Sequence, residues 1–241
     1  VPLIDSTRLS DEDRAAWAVL APRYREPRWR VDERAFRAQR RILDYLRVAP
    51  GHVCVSWGKD SVVLAHLARC VIDMPVVWVR LGGAENPECF AVRDAYLSGW
   101  PCNYLEVVEP VEWDSDGEMC EAPWSCAIRR ADRECGARRV MGIRAAESSV
   151  RTLSARIHGV ATSTTCRPLL DWTTAEVLGY LLAHDLPISA VYAMSYGGRL
   201  DLERLRTDFL GDTPGRDRGR REWERHYFGD LAPYSVPDAR V

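Results

Sequence analysis

The chain contains a single lysine, Lys59; every other basic side chain is arginine. It has no apolar run long enough to span a bilayer, and no stretch with the charged, apolar and small-residue order of a secretory signal. Those absences predict a cytoplasmic protein without membrane contact. A formal net charge of −2 leaves no global basic field to advertise nucleic-acid binding. The eight cysteines lack the rhythm of a disulfide scaffold and read as reduced thiols. Internal repeats are absent. Two common nucleotide loops are missing as well: G-x-x-x-x-G-K-[ST] fails at Val53 and at Asp60, and G-x-G-x-x-G finds no match.

What is present centres on Val53–Leu64. Val53–Val55 reads as a buried strand, the following residues as a tight polar turn, and Ser61–Ala68 as a helix packed on a sheet. A strand, a loop and a helix N-terminus together form an anion site, because free N–H groups and the positive end of the helix dipole point over the loop. Ser56 and Ser61 add hydroxyls, Gly58 allows close backbone approach, and Lys59 adds a compact charge where an arginine-rich chain otherwise uses none.

Further strands are predicted over 75–81, 103–108 and 138–144, with helices from 85–88 through about 97 and over 124–135 between them. Strands alternating with helices predict an α/β fold: a doubly wound, mostly parallel sheet with helices on both faces. Such sheets bind ligands beyond the carboxyl ends of their strands. The predicted organisation is an N-terminal helical extension (1–47), a nucleotide-binding domain (48–195) and an Arg- and aromatic-rich C-terminal extension (196–241). Asp171 and Thr173 are candidate caps for a helix beginning there, with Trp172 as a core aromatic.

Ser56-Trp57-Gly58-Lys59-Asp60-Ser61 resembles S-G-G-x-D-S, the pyrophosphate-binding loop of the ATP pyrophosphatase (PP-loop) superfamily, departing from it at Trp57, where the family has Gly. Gly142-Ile143-Arg144-Ala145-Ala146-Glu147-Ser148-Ser149-Val150-Arg151 is similar to a segment of that superfamily's phosphoadenosine-phosphosulfate (PAPS) reductase branch. Arg167-Pro168-Leu169-Leu170-Asp171-Trp172-Thr173 and Glu85-Asn86-Pro87-Glu88 resemble two more of its segments, in family order. The resemblance implies an adenine nucleotide alpha hydrolase-like fold. It implies that Ser56, Trp57, Gly58, Lys59, Asp60, Ser61, Gly142, Arg144, Glu147 and Arg151 bind ATP or pyrophosphate. Lys59, Asp60, Ser61, Arg144 and Cys126 become the catalytic candidates, with Mg²⁺ at Asp60.

The reductases of this branch carry a nucleophilic cysteine in a C-terminal Glu-Cys-Gly; here Glu134-Cys135-Gly136 lies mid-chain and no cysteine follows Cys166. Adenylylsulfate reductases bind an iron–sulfur cluster through adjacent cysteines and a C-x-x-C, and neither pattern is present. The chain therefore resembles most the ATP pyrophosphatase of DNA phosphorothioation. That enzyme splits ATP to AMP and pyrophosphate and adenylylates an acceptor for sulfur from a cysteine desulfurase, with DNA and other subunits of a modification complex as partners. Two alternatives stand beside it: a PAPS or adenylylsulfate reductase or sulfate adenylyltransferase of sulfate assimilation, and a non-catalytic nucleotide-binding subunit. Cys120, Cys126, Cys135 and Cys166 are candidates for a persulfide or a cluster, although their spacing matches no known cluster motif. Cys126, with Arg129 three residues on, resembles the branch's C-x-x-[KR].

Overall fold

The computed structural model describes residues 3–82, 85–110, 122–207, 209–210 and 218–231. The chain opens with α1 (Asp11–Leu20) and α2 (Arg28–Leu46). Ser10 caps α1, its hydroxyl accepting from Asp13 N–H while the Asp13 carboxylate reaches back to the Ser10 N–H, so two orphan donors of the first turn are satisfied at once. β1 (Gly51–Val55) and α3 (Lys59–Arg69) follow, then β2 (Val76–Gly82), α4 (Glu88–Gly99) and β3 (Tyr104–Pro110). α5 (Ala122–Cys135), β4 (Arg138–Met141), α6 (Ser149–His158), β5 (Thr165–Cys166), α7 (Thr174–Ala183) and α8 (Arg218–Phe228) complete the order.

The five strands are parallel in the order β3-β2-β1-β4-β5. β1 therefore sits at the centre, and the chain switches side there: β2 and β3 lie to one flank, β4 and β5 to the other. Beyond the carboxyl ends of β1 and β4 the loops diverge and leave a crevice.

Side chains alternate along each strand. Val53 and Val55 of β1, Val76 and Trp78 of β2 and Val140 of β4 belong to one large core, packed with α2, α3 and α7. Val77 and Val107 face the other way and meet Ala127 and Ala131 of α5 in a much smaller cluster. The register agrees: Val53 pairs with Val76 and Val140, and Cys54 with Val77 and Met141.

Thr173 caps α7, while Asp171 pairs instead with Arg41 and Arg34 of α2 and Trp172 is buried. The two ends of the described chain meet around Asp13. Its carboxylate accepts from the N–H groups of Ser195 and Gly197 at 3.1 and 2.8 Å and from the Tyr227 hydroxyl at 3.0 Å. α8 docks through Trp223, Tyr227 and Phe228, all buried, with the Trp223 indole N–H donating to Met194 O at 2.7 Å. Among the described residues no helix is long and apolar enough to cross a membrane.

Candidate active site

The loop between β1 and α3 is built tightly. Trp57 has φ +58°, in the left-handed region that glycine enters without cost and a bulky residue does not. Its ring is fully buried against Trp78, Tyr96 and Tyr104, with centroids 6.5, 5.3 and 5.5 Å away. Aromatic packing thus holds the backbone where the resemblance expects a glycine. Gly58 has no room for a side chain: a Cβ there would stand 2.6 Å from Thr207 Oγ1. The Ser61 hydroxyl donates to Gly58 O at 3.0 Å and accepts from Ser56 N–H at 3.2 Å, so it clasps the loop.

Lys59 is 6 % exposed; its ammonium lies 2.9 Å from Asp60 Oδ2 and 5.1 Å from the Tyr192 ring centroid. The other oxygen, Asp60 Oδ1, accepts from Arg144 Nε at 2.5 Å. Asp60 therefore bridges two cations. Arg144 is buried behind the loop, its guanidinium also donating to Trp172 O at 3.4 Å, and its place is structural support of Asp60. Gly142 lets β4 approach the first turn of α3, where an added Cβ would lie 3.1 Å from Asp60 backbone atoms. Glu147 accepts from Arg144 N–H at 3.1 Å and pairs with Arg151, while Arg206 donates to Glu147 O at 3.0 Å.

These groups rim a cavity of about 370 Å³. Its wall is of two kinds. Ser56, Lys59, Glu147, Arg151 and Arg206 make one end polar. Cys54, Val77, Val79 and Met141 from the sheet and Ile128 from α5 make the other mostly apolar, with His52 and Arg139 also on its wall and Trp124 and Phe209 edge to face at 5.7 Å. An apolar slot beside an anion loop has the shape chemistry of a nucleotide site.

The sequence brought the loop, Glu147 and Arg151 to this place. It did not point to Arg206, Thr207 or Phe209, which arrive on an irregular segment after a short helical turn at 202–204 and carry no periodic signal. Nor does the structure bring the candidate thiols together. Cys120 lies outside the described residues. Cys126 and Cys135 sit nine residues apart on α5, about 13 Å along the helix axis. Cys166 faces α2 on the opposite side of the sheet, its thiol 3.8 Å from Arg41 O, and burial pushes it up to about 11. Among the described residues no group of three or more His, Cys, Asp or Glu side chains is placed to hold a metal ion. Cys126 accepts from Arg129 at 3.1 Å but stands about 200° round the helix from Trp124, so it is off the cavity wall. Among the described residues the thiols on the wall are Cys54 and Cys89, neither singled out by sequence; burial pushes Cys54 up to about 12.

The model of the phosphoadenosine phosphosulfate reductase domain matches residues 51–198. A phosphoadenosine 5'-phosphosulfate reductase of Xylella fastidiosa strain M12 is 27% identical over 192 residues, covering 70% of this chain and 79% of that protein. The same-named protein of strain 9a5c is 26% identical over 215 residues, covering 80% and 85%. An adenosine 5'-phosphosulfate reductase of Mesorhizobium japonicum is 27% identical over 156 residues, covering 58% and 60%. Among solved structures, the phosphate complex of the PAPS reductase of Candida auris aligns with a TM-score of 0.47 at 12% identity, over 68% of this chain and 90% of that one.

Proposed function

The chain belongs to the phosphoadenosine phosphosulfate reductase domain family, and from that premise we propose that it binds an adenosine phosphosulfate in the cleft and serves in releasing the sulfonate as sulfite. This corrects the assignment to the ATP pyrophosphatase superfamily and to its DNA-phosphorothioating members, because the family model and the curated relatives are sulfonucleotide reductases. The expectations that hung on that assignment fall with it: splitting of ATP to AMP and pyrophosphate, adenylyl transfer, ATP with Mg²⁺ as cofactors, and a cysteine desulfurase and DNA as partners. The reductase of sulfate assimilation, weighed above as an alternative, takes their place, with a dithiol protein of the thioredoxin or glutaredoxin kind as the partner.

One observation carries the reading. The matched segment holds the strands β1 to β5, the loop, Glu147 and Arg151, and these line most of the two-part cavity, with Arg206, Thr207 and Phe209 reaching it from beyond the segment. The apolar slot takes the purine, and the loop with Lys59 and Arg151 takes the acidic groups. The chemistry is a two-electron reduction. A thiol attacks the sulfonate sulfur, the S–O bond to the phosphate breaks, and the nucleotide leaves with that oxygen. A second thiol then closes a disulfide and releases sulfite. Cys54 and Cys89 are poorly suited to be the attacking thiol: Cys89 is buried, and desolvation pushes the Cys54 thiol up to about 12.

The test is sulfite release from sulfur-labelled phosphoadenosine phosphosulfate and from adenosine phosphosulfate, each with reduced thioredoxin or glutaredoxin. Sulfite is expected from one of the two nucleotides. A folded chain that releases none from either, with either reductant, would overturn the proposal.

A further inference from the structure

We infer that Asn86 is a specificity residue of this cleft, its side-chain NH₂ donating to an oxygen of the substrate's terminal sulfonate. The inference rests on the proposed function. Asn86 lies on the cavity wall just before α4 and is 1 % exposed. Its Oδ1 accepts from the Glu88 N–H at 3.0 Å. A backbone N–H can be met only by the oxygen, so that bond fixes which way the carboxamide points. The Nδ2 atom is closed off from water and has no partner. A buried amide donor left unpaired is costly, and an oxygen arriving with a ligand recovers that cost.

The bond from Glu88 N–H alone does not account for an amide here. A carboxylate accepts from a helix's first N–H groups as well as an amide does, and the helix dipole favours its charge. The NH₂ is the part that this bond leaves unexplained. The backbone donors of the same turn are already engaged: Cys89 N–H with Asn86 O at 3.0 Å and Phe90 N–H with Pro87 O at 3.1 Å. Among the described residues, Nδ2 is thus the donor this corner still has to offer.

The corner adjoins the anion loop. The Cys89 thiol lies 3.9 Å from Thr207 O, and the Thr207 hydroxyl covers Gly58. An oxygen held by Asn86 therefore belongs to the anionic end of the ligand, not to its purine. The two nearby carboxylates are turned to other partners: Glu88 accepts from the Ser6 hydroxyl at 2.8 Å, and Glu85 stands 3.7 Å from Arg80 Nε.

Asn86→Asp keeps the oxygen that accepts from Glu88 N–H, removes the donor and sets a carboxylate against the sulfonate, the group that the bisphosphate lacks. Calorimetric titration with phosphoadenosine phosphosulfate and with adenosine 3',5'-bisphosphate, which lacks the sulfonate, reads the result. The variant should bind the sulfonucleotide about tenfold or more weaker and the bisphosphate within about twofold of the parent. Unchanged sulfonucleotide binding, or equal weakening of both ligands, overturns the inference and leaves the proposed function standing. A parent chain that binds neither ligand overturns both. Should Asn86→Asp lose bisphosphate binding through misfolding, Asn86→Ala is read by the same pair of ligands and the same criteria.

Discussion

On one face of the sheet, Val53, Val55, Val76 and Trp78 meet α2, α3 and α7 in a core that reaches from Leu9 to Phe228. On the other face, Val77 and Val107 meet Ala127 and Ala131 of α5, with Val79, Leu105 and Cys135 packed against this small cluster. Cys54 and Met141, which would extend that second core, line the cavity instead. The same strands, read one residue out of phase, thus do two jobs. The thick face holds the fold together, and the thin face leaves a void for a ligand to fill. Stability and binding should therefore answer to different substitutions.

The largest effect belongs to the thick face. Trp57→Gly relieves the left-handed backbone but empties an aromatic cluster, and the loss should be about 3–5 kcal/mol in urea unfolding. An unchanged midpoint would mean that the backbone, not the ring, dominates there.

The next probe is pH. His66 is buried between α3 and α7, its Nδ1 2.8 Å from the Tyr180 hydroxyl and its ring beside His184 and Trp100. Burial, with His184 and Arg69 adding repulsion, pushes it down to about 4. The folded chain thus resists a proton that the unfolded chain accepts below about pH 6.5. Stability should fall as pH drops from about 6.5 to 4, by about 3 kcal/mol if His66 acts alone. His184, lowered chiefly by burial, pushes the same way. His66→Gln should flatten the profile; a parent profile already flat over that range would refute the assignment.

How far the sequence revealed this architecture differs between the two faces. The strand at Val53–Val55 and the helix after it were legible because burial there is written as apolar runs and helical spacing. Arg144 was legible as a charge but not as a buried strut, since only tertiary packing reveals that Asp60 and Trp172 O enclose it. Cys126 and Cys166 stood as candidates for a persulfide or a cluster, yet helix phase and strand facing send them away from the cavity. β5, at two residues, is too short to show a period. Arg206, Thr207 and Phe209, which lie outside helix and strand, left no pattern to read.

The thin face supplies the smaller effects on stability. Ile128→Trp fills the slot from α5 and should change stability by no more than about 1 kcal/mol. It should weaken nucleotide binding at least tenfold; calorimetry on the parent and variant checks both. Unaltered binding would place the purine elsewhere. Smallest of all, Cys54→Ser and Cys89→Ser should each keep sulfite release within about twofold. A variant that abolishes turnover with nucleotide binding intact would make its cysteine the attacking thiol.

The ring of Trp57 has one more consequence, for the tempo of binding. A glycine at that position would leave the turn many conformations, and a ligand would have to select one of them on arrival. Here the indole, wedged among Trp78, Tyr96 and Tyr104, has removed those alternatives during folding. The entropy of ordering the loop is charged to the fold and not to the complex. The cradle for the acidic groups stands ready before the nucleotide comes, and association is set by encounter rather than by loop rearrangement.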